Sequence, residues 1–297
     1  MTIKLDLYRV FCQVAESKSF SRAAKGLYMT QPAVSQSISN LEDALGLRLF
    51  ARTPRGVHLT NDGQLLYEHA SAALNLIHSG EKKLFEAREL LVGELKLGVG
   101  DTVSRYYLLP YLEKFHKKHP EIKLRIINRT TPELCDMIKS GDIDLGIVNL
   151  PVKESEFVIQ ECLEVHDIFV CGAPDFLSGV KLPLSPEEIA SYPLILLETK
   201  SNSRQYVEKW FQGQGISLIP EIELGSHELL LEFAKINLGL ACVIREFSQD
   251  YLKDGSLFEV PMKEAIPARS VGYCYLKSVP LSPASATFVE TLDTPLS

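Results

Sequence analysis

Two groups of side chains in this chain are of types that make specific contacts with a ligand. The first is the run Thr30-Gln31-Pro32-Ala33-Val34-Ser35-Gln36, followed by Ser39 and Asn40. Gln and Asn amides match adenine edges, and Ser hydroxyls bond base edges or phosphate oxygens. Arg22 and Lys25 precede this run, and Arg48, Arg52 and Arg55 follow it. Cations in such flanking positions hold a phosphate backbone without reading its sequence. The second group is spread further along: Thr102 and Ser104, then Thr130-Thr131, then Ser201-Asn202-Ser203-Arg204. Each lies where a strand-like run ends and a helix-like run begins. Hydroxyls and free N–H groups at helix starts suit a carboxylate, sulfate or similar anion. In open α/β sheets, ligands bind beyond the carboxyl ends of strands. The plainer alternatives are an ordinary polar helix face for the first group and simple N-caps for the second.

The elements that must position the first group are legible. Residues 5–15 read as a helix with Leu7, Val10, Phe11 and Val14 on one face. Ser19 caps a second, short helix that Gly26 ends. Thr30 caps a third, with Pro32 in its first turn, where a missing N–H costs little. Val34, Ile38, Leu41 and Leu45 form its buried stripe, and Gly46 stops it. This predicts a helix-turn-helix over about 18–37. Leu47 to Thr60 then alternates as a hairpin around Pro54-Arg55-Gly56, a wing. From Asp62 to about Leu91 runs one long helix without proline. Leu66, Ala70, Ala73, Ile77, Gly80, Leu84, Ala87 and Leu91 are spaced 4-3-4-3-4-3-4, a heptad seam that predicts a partner helix.

Beyond Gly93 the periodicity changes to β-α-β-α-β, with strands at Leu95–Val99, Ile122–Ile127 and Ile143–Val148 and helices between them. A similar series follows from Phe169 to Ile244. Two small α/β lobes with parallel sheets are expected, the chain crossing between them near Phe157–Val170 and Ser270–Leu276.

Composition limits what such a chain can be. It has 297 residues, 45% apolar and 23% charged, enough for two or three globular domains. No apolar run reaches the roughly 18 residues of a membrane span. The start lacks a secretory pattern, so a cytoplasmic protein that meets no membrane is expected. The net charge of −7 splits into +4 over residues 1–60 and −11 over the rest, so the amino-terminal part is the one that suits a polyanion. Six scattered cysteines form no C-x-x-C and read as buried thiols; Cys162 with Cys171 is the alternative, a redox pair.

The same residues carry a resemblance. Ser19-Phe-Ser-Arg-Ala-Ala24, Thr30-Gln-Pro-Ala-Val-Ser35, Ile38-x-x-Leu41-Glu42, Leu45-Gly46, Leu49-Phe50-x-Arg52 and Leu59-Thr60-x-x-Gly63 resemble the winged helix-turn-helix of LysR-type transcriptional regulators. Leu108-Leu-Pro110, Phe115, Pro120 and Gly141-Asp-Ile-Asp144-Leu-Gly-Ile147 resemble that family's looser pattern further on. The resemblance implies an α+β multidomain chain. Residues 1–60 would be a winged helix-turn-helix, 61–91 a linker and dimerisation helix, and 92–297 a two-lobed α/β effector domain like periplasmic binding proteins. Lobe one would take about 92–160 and 268–297, and lobe two about 161–267.

The resemblance also implies roles. Gln31, Pro32, Ser35 and Gln36 would enter the major groove, and Arg52 and Arg55 would make wing and backbone contacts. Arg22, Thr30 and Ser39 complete the expected DNA face. Thr102, Ser104, Thr131, Asn149, Ser201 and Ser203 would line a cleft for a small, anionic effector. Leu66, Ala70, Ala73, Ile77 and Leu84 would form the dimer seam. Double-stranded DNA, the effector and a second copy, as dimer or tetramer, are the expected partners, with RNA polymerase a further candidate.

Two other functions compete with a regulator. A solute-binding receptor with the same two-lobed body would need an export signal in place of a basic module. A cytoplasmic α/β enzyme with an accessory domain would need a nucleophile, metal or cofactor motif. Gly98-Val-Gly100 lacks the third glycine of a dinucleotide loop, and His227-Glu228 lacks the second His of a zinc helix. His116 and His119 sit among lysines, and neither G-x-S-x-G nor a phosphate-loop Lys occurs. No enzyme, metal or cofactor is therefore expected.

Overall fold

The computed structural model describes residues 3–53, 56–89, 93–152 and 155–294. The chain divides into two compact units, one built on the first 89 residues and one on the remainder.

The first unit is a three-helix module with a two-stranded wing and a long helix. Helices α1 (Leu5–Ser17), α2 (Phe20–Gly26) and α3 (Gln31–Leu45) turn their apolar faces to one core, which holds Val10, Phe11, Val14, Ala23, Val34, Ile38 and Leu41. Ser19 Oγ accepts from Arg22 N–H (3.3 Å) and Thr30 Oγ1 from Ala33 N–H (3.4 Å), so both expected caps are in place. Gly46 ends α3 in the left-handed conformation (φ +70°), which glycine takes without penalty. Strands β1 (Phe50–Thr53) and β2 (Gly56–Leu59) pair antiparallel, as the wing requires.

Helix α4 spans Asn61–Glu89; the predicted seam residue Leu91 lies outside the described residues. The heptad reading needs a correction here. Ala70 is buried in the core of the winged module, and Leu66, Tyr67 and Leu74 pack against that core. The first turns of α4 therefore cover their own domain, and the stripe that continues outward is Ala73, Ile77, Gly80 and Leu84. Ile77 is 39% and Leu84 68% exposed. Gly63 lies at the start of α4, where a Cβ would collide with the carbonyl oxygen of Leu49, so only glycine lets the helix approach the wing.

In the second unit, lobe one is a five-stranded sheet of β3 (Glu94–Val99), β4 (Lys123–Asn128), β5 (Leu145–Asn149), β6 (Phe157–Val165) and β12 (Arg269–Leu276), in the order β4-β3-β5-β12-β6. Strands β3, β4 and β5 are parallel, whereas β12 and β6 run antiparallel to their neighbours, so the sheet is mixed rather than parallel. One face packs on α5 (Asp101–Val103), a π turn at Ser104–Leu108, α6 (Leu109–Lys118) and α12 (Pro283–Leu292), through Leu97, Leu108, Phe115 and Phe288. The other packs on α7 (Thr131–Lys139) through Leu134 and Ile138.

Lobe two holds β7 (Asp167–Cys171), α8 (Pro186–Ala190), β8 (Leu194–Leu197), α9 (Asn202–Gly213), β9 (Ile222–Leu224), α10 (His227–Lys235), β10 (Leu240–Ile244), α11 (Gln249–Lys253) and β11 (Phe258–Val260). Its sheet order is β11-β7-β10-β8-β9, with α9 and α8 on one face and α10 on the other. The lobe boundary moves from its expected place. Phe157–Val165 pairs with β12 in lobe one at every residue but Cys162, where the register shifts, so the chain crosses at His166 and returns just before Arg269. All six cysteines are free thiols; Cys162 stands in the lobe-one sheet and Cys171 in the lobe-two sheet.

Candidate functional site

On the amino-terminal unit the candidate surface is the polar face of α3. Thr30, Gln31, Pro32 and Gln36 are exposed, and Ser35 and Ser39 are half-buried. Gln36 Nε2 donates to Asn40 Oδ1 (2.9 Å), which ties the two amides together one turn apart on the helix. Ser39 Oγ donates to Asp43 Oδ2 (3.5 Å), so it sits at the acidic end of this face, which suits phosphate least. Arg22 and Lys25 are exposed on α2. Arg52 is placed in β1 by its backbone, and Arg55 lies outside the described residues.

Two features of this unit were not foreseen. Glu42 is buried, and its carboxylate accepts from Arg48 Nη1 (2.6 Å), Leu49 N–H (2.8 Å) and Phe50 N–H (3.3 Å). Burial works to raise its pKa, but the Arg48 pair and the two backbone donors outweigh that and hold it below the usual carboxylate value. Glu42 thereby ties the end of α3 to the first wing strand, and Arg48 serves this pair rather than standing free beside the DNA face. The second is Tyr28, between α2 and α3, with φ +54° and 99% of its surface exposed. A left-handed conformation costs a residue with a Cβ roughly 1–2 kcal/mol.

On the second unit the candidate site is a cavity of about 320 Å³ between the lobes. Thr102, Thr131 and Asn149 line it from lobe one, and Ser201 and Ser203 from lobe two. Ser104 is the exception: it does not line the cavity. Thr102 and Ser104 are two positions apart on a helical turn, so their side chains point to opposite sides of it. Thr131 Oγ1 accepts from Asn149 N–H (3.2 Å), and Ser201 Oγ caps α9 by accepting from Arg204 N–H (3.5 Å). Asn202 Nδ2 donates to Asn149 O (2.8 Å), joining the lobes at the cavity wall. The lining carries both signs of charge, Arg129 and Lys200 against Asp101, Glu133 and Glu198.

Behind two of the lining residues, Asn149 and Ser203, stands a charged group that sequence reading missed. Arg269, at the start of β12, is buried and uses four of its five donors. Nε and Nη2 donate to Asp167 Oδ2 (2.6 Å) and Oδ1 (2.9 Å), Nη2 to Ser203 Oγ (2.9 Å) and Nη1 to Asn149 Oδ1 (2.8 Å). One guanidinium thus grips both cavity walls and the first residue of lobe two. A signal existed: Asp167 and Arg269 are single charges of opposite sign at the mouths of apolar strands, where a charge needs a partner.

His227 closes the lobe-two side. It is buried, and its Nε2 accepts from Ile244 N–H (3.2 Å), which leaves the proton on Nδ1. Burial, with a further push from Arg269, lowers its pKa to about 4 against the pull of Glu228, so the ring is neutral at pH 7. Tyr106 stacks on Phe247 (5.5 Å) and meets His227 edge-on (5.8 Å), while Arg105 Nε approaches Glu228 Oε1 (3.5 Å). The π turn presents these consecutive side chains to lobe two.

A capped recognition helix with a wing, and a separate two-lobed body closed over a polar cavity, define a ligand-responsive DNA-binding protein. The comparisons with known proteins name the group. Residues 5–64 match the bacterial regulatory helix-turn-helix of the lysR family, and residues 88–295 match the LysR substrate binding domain. The chain belongs to the LysR family of transcriptional regulators. The RuBisCO operon transcriptional regulator of Allochromatium vinosum is 28% identical over 291 residues, covering 98% of this chain and 95% of its own length. The regulator CysL of Bacillus subtilis is 26% identical over 242 residues, covering 81% and 80%. A variant of full-length OxyR from Pseudomonas aeruginosa shares the fold at a TM-score of 0.66 and 22% identity, over 98% of this chain and 94% of that one. Full-length CbnR with its target DNA does so at 0.64 and 19%, over 98% and 99%. The protein is thus a DNA-binding regulator with a domain for a small-molecule effector.

Proposed function

We propose that the chain works as a cytoplasmic homodimer, or a tetramer made of two such dimers, that catalyses no reaction and changes its grip on DNA when a small molecule with one anionic group enters the inter-lobe cavity. The carrying observation is the convergence of Thr102, Thr131, Asn149, Ser201 and Ser203, from both lobes, on one cavity at the ends of the strands. An effector there can act only by favouring one lobe arrangement over another. Arg129, Lys200 and the hydroxyls suit a carboxylate or similar group, while Asp101 and Glu198 would repel a second one. A monoanion or a zwitterion fits this lining best. No helix among the described residues is long and apolar enough to cross a membrane, which accords with the cytoplasmic assignment.

On DNA, Gln31, Ser35 and Gln36 read base edges in the major groove from a helix that Thr30 and Pro32 start, while Arg22, Arg52 and Arg55 hold phosphates. Ala73, Ile77, Gly80 and Leu84 meet the same stripe of a second copy. A twofold protein calls for a twofold site. Salt titrations on an operator selected from a random pool and on a scrambled duplex test the division of labour. Arg52→Ala should weaken both and lower the salt slope by about one. Gln36→Ala should relax one base position at about 1–3 kcal/mol. If Arg52→Ala left affinity and slope unchanged, the wing would have no part in binding.

A further inference from the structure

We infer that Tyr28 is a DNA-backbone contact held in a strained turn for that purpose. The inference rests on the DNA-reading role of α3 and adds to it a neutral aromatic contact that lies outside the recognition helix.

The turn that joins α2 to α3 has a defined hydrogen-bond pattern. Tyr28 N–H donates to Lys25 O (3.3 Å), and Met29 N–H donates to Ala24 O (2.9 Å). These are the two bonds of a helix end whose next-to-outer residue must be left-handed, and that place belongs to glycine or asparagine in most proteins. Here it is a tyrosine with φ +54°. The side chain gains nothing in return from the fold, because it is 99% exposed, the highest value of any large apolar or aromatic residue described. Lys18 ends α1 in the same conformation (φ +52°), but its charge suits solvent; an aromatic ring left wholly in solvent on a strained backbone points to a contact outside the module.

Its neighbours say what that is. Tyr28 precedes the cap residue Thr30 by two positions and Gln31 by three, and the exposed cations Arg22 and Lys25 lie on the helix it terminates. It therefore stands in the chain between the exposed cations of α2 and the start of the base-reading helix α3. A phenol can donate its O–H to a phosphate oxygen while its ring covers the deoxyribose, and such contacts position a protein without reading sequence. Being uncharged, it releases no counterion, so its loss leaves the salt slope alone.

The test compares Tyr28→Asn, Tyr28→Phe and Arg22→Ala in the full-length chain, reading thermal stability and affinity for a selected operator and a scrambled duplex across a salt series. Tyr28→Asn should raise Tm by about 2–4 °C, because asparagine tolerates the left-handed turn. The same variant should bind both duplexes about three- to tenfold more weakly, with an unchanged salt slope. Tyr28→Phe should lie between wild type and Tyr28→Asn in affinity and leave Tm near the wild-type value. Arg22→Ala should lower the slope. Stability and affinity moving in opposite directions is what a merely structural residue cannot give. Unchanged DNA affinity in Tyr28→Asn, or a lowered Tm with the lowered affinity, would overturn the inference while leaving the reading role of α3 intact. A wild-type chain that binds neither duplex would overturn that role and this contact together.

Discussion

Arg269 and Asp167 form a two-point ion pair, Nε to Oδ2 at 2.6 Å and Nη2 to Oδ1 at 2.9 Å, buried where the chain passes between the lobes. The two residues are 102 positions apart in sequence and begin the strands that flank the crossing. Because the same guanidinium also holds Asn149 and Ser203, the ion pair, the hinge and the cavity walls are one network. Removing one member of a buried pair leaves an uncompensated charge. Arg269→Leu should therefore destabilise the carboxy-terminal unit by about 3–5 kcal/mol in urea unfolding. A loss below about 1 kcal/mol would mean that the pair is accessible to water, as exposed pairs are.

Glu42 makes a second prediction, on the wing. Its folded pKa lies below the ordinary carboxylate value of 4.5, so it contributes stability above that value that is lost as pH falls through the lowered one. Glu42→Gln should cost about 1–3 kcal/mol at pH 7 and flatten the acid limb of the amino-terminal unit's stability curve. Equal acid sensitivity in variant and wild type would show that the carboxylate does not anchor the wing.

His227 acts over a different range. Its pKa falls from 6.5 in the unfolded chain to about 4 in the fold, so the unfolded chain takes up a proton first as pH drops. Stability should decline between pH 6.5 and about 4, by about 3 kcal/mol once both states are protonated. His227→Gln, which can still accept from Ile244 N–H, should remove that part of the decline. Calorimetry of both proteins at closely spaced pH values would measure it, and identical curves would contradict a buried neutral ring.

The exposed stripe on α4 carries a fourth consequence. Ile77→Asp should break the proposed pairing of two copies, because a charge in a dry helix interface is costly. Sedimentation equilibrium should then report a smaller species, and DNA affinity should fall although no DNA contact is touched. An unaltered oligomer would remove Ile77 from any interface.

The parts of this molecule that sequence alone made plain are those fixed by local rules. The caps at Ser19 and Thr30, the left-handed stop at Gly46 and the strand-helix alternation of both lobes each depend on a few adjacent residues. What escaped depends on contacts far apart in the chain. The antiparallel run of Phe157–Val165 along β12 moved the lobe boundary, and Arg269 finds its partners only after both lobes have formed. Heptad spacing does not tell a seam from a core, so it gave no sign that Ala70 is buried in its own module with Leu66 packed beside it. Ser104 failed for a local reason, since its helical phase relative to Thr102 was already in the sequence. Five of the six expected effector residues do meet at one cavity, because loops at strand ends converge in any sheet of this kind.

The central claim, that the inter-lobe cavity takes a small molecule with an anionic group, is tested most directly by thermal shift with sulfate, simple monocarboxylates and amino acids. Wild type is compared with the double variant Thr102→Val, Ser203→Ala, which removes one hydroxyl from each wall. At least one of these compounds should stabilise the wild-type chain. Its affinity for the double variant should fall by more than the roughly five- to 150-fold expected for one lost hydrogen-bond donor. No stabilisation by any of them, or an equal shift in the double variant, would contradict the cavity as the effector site.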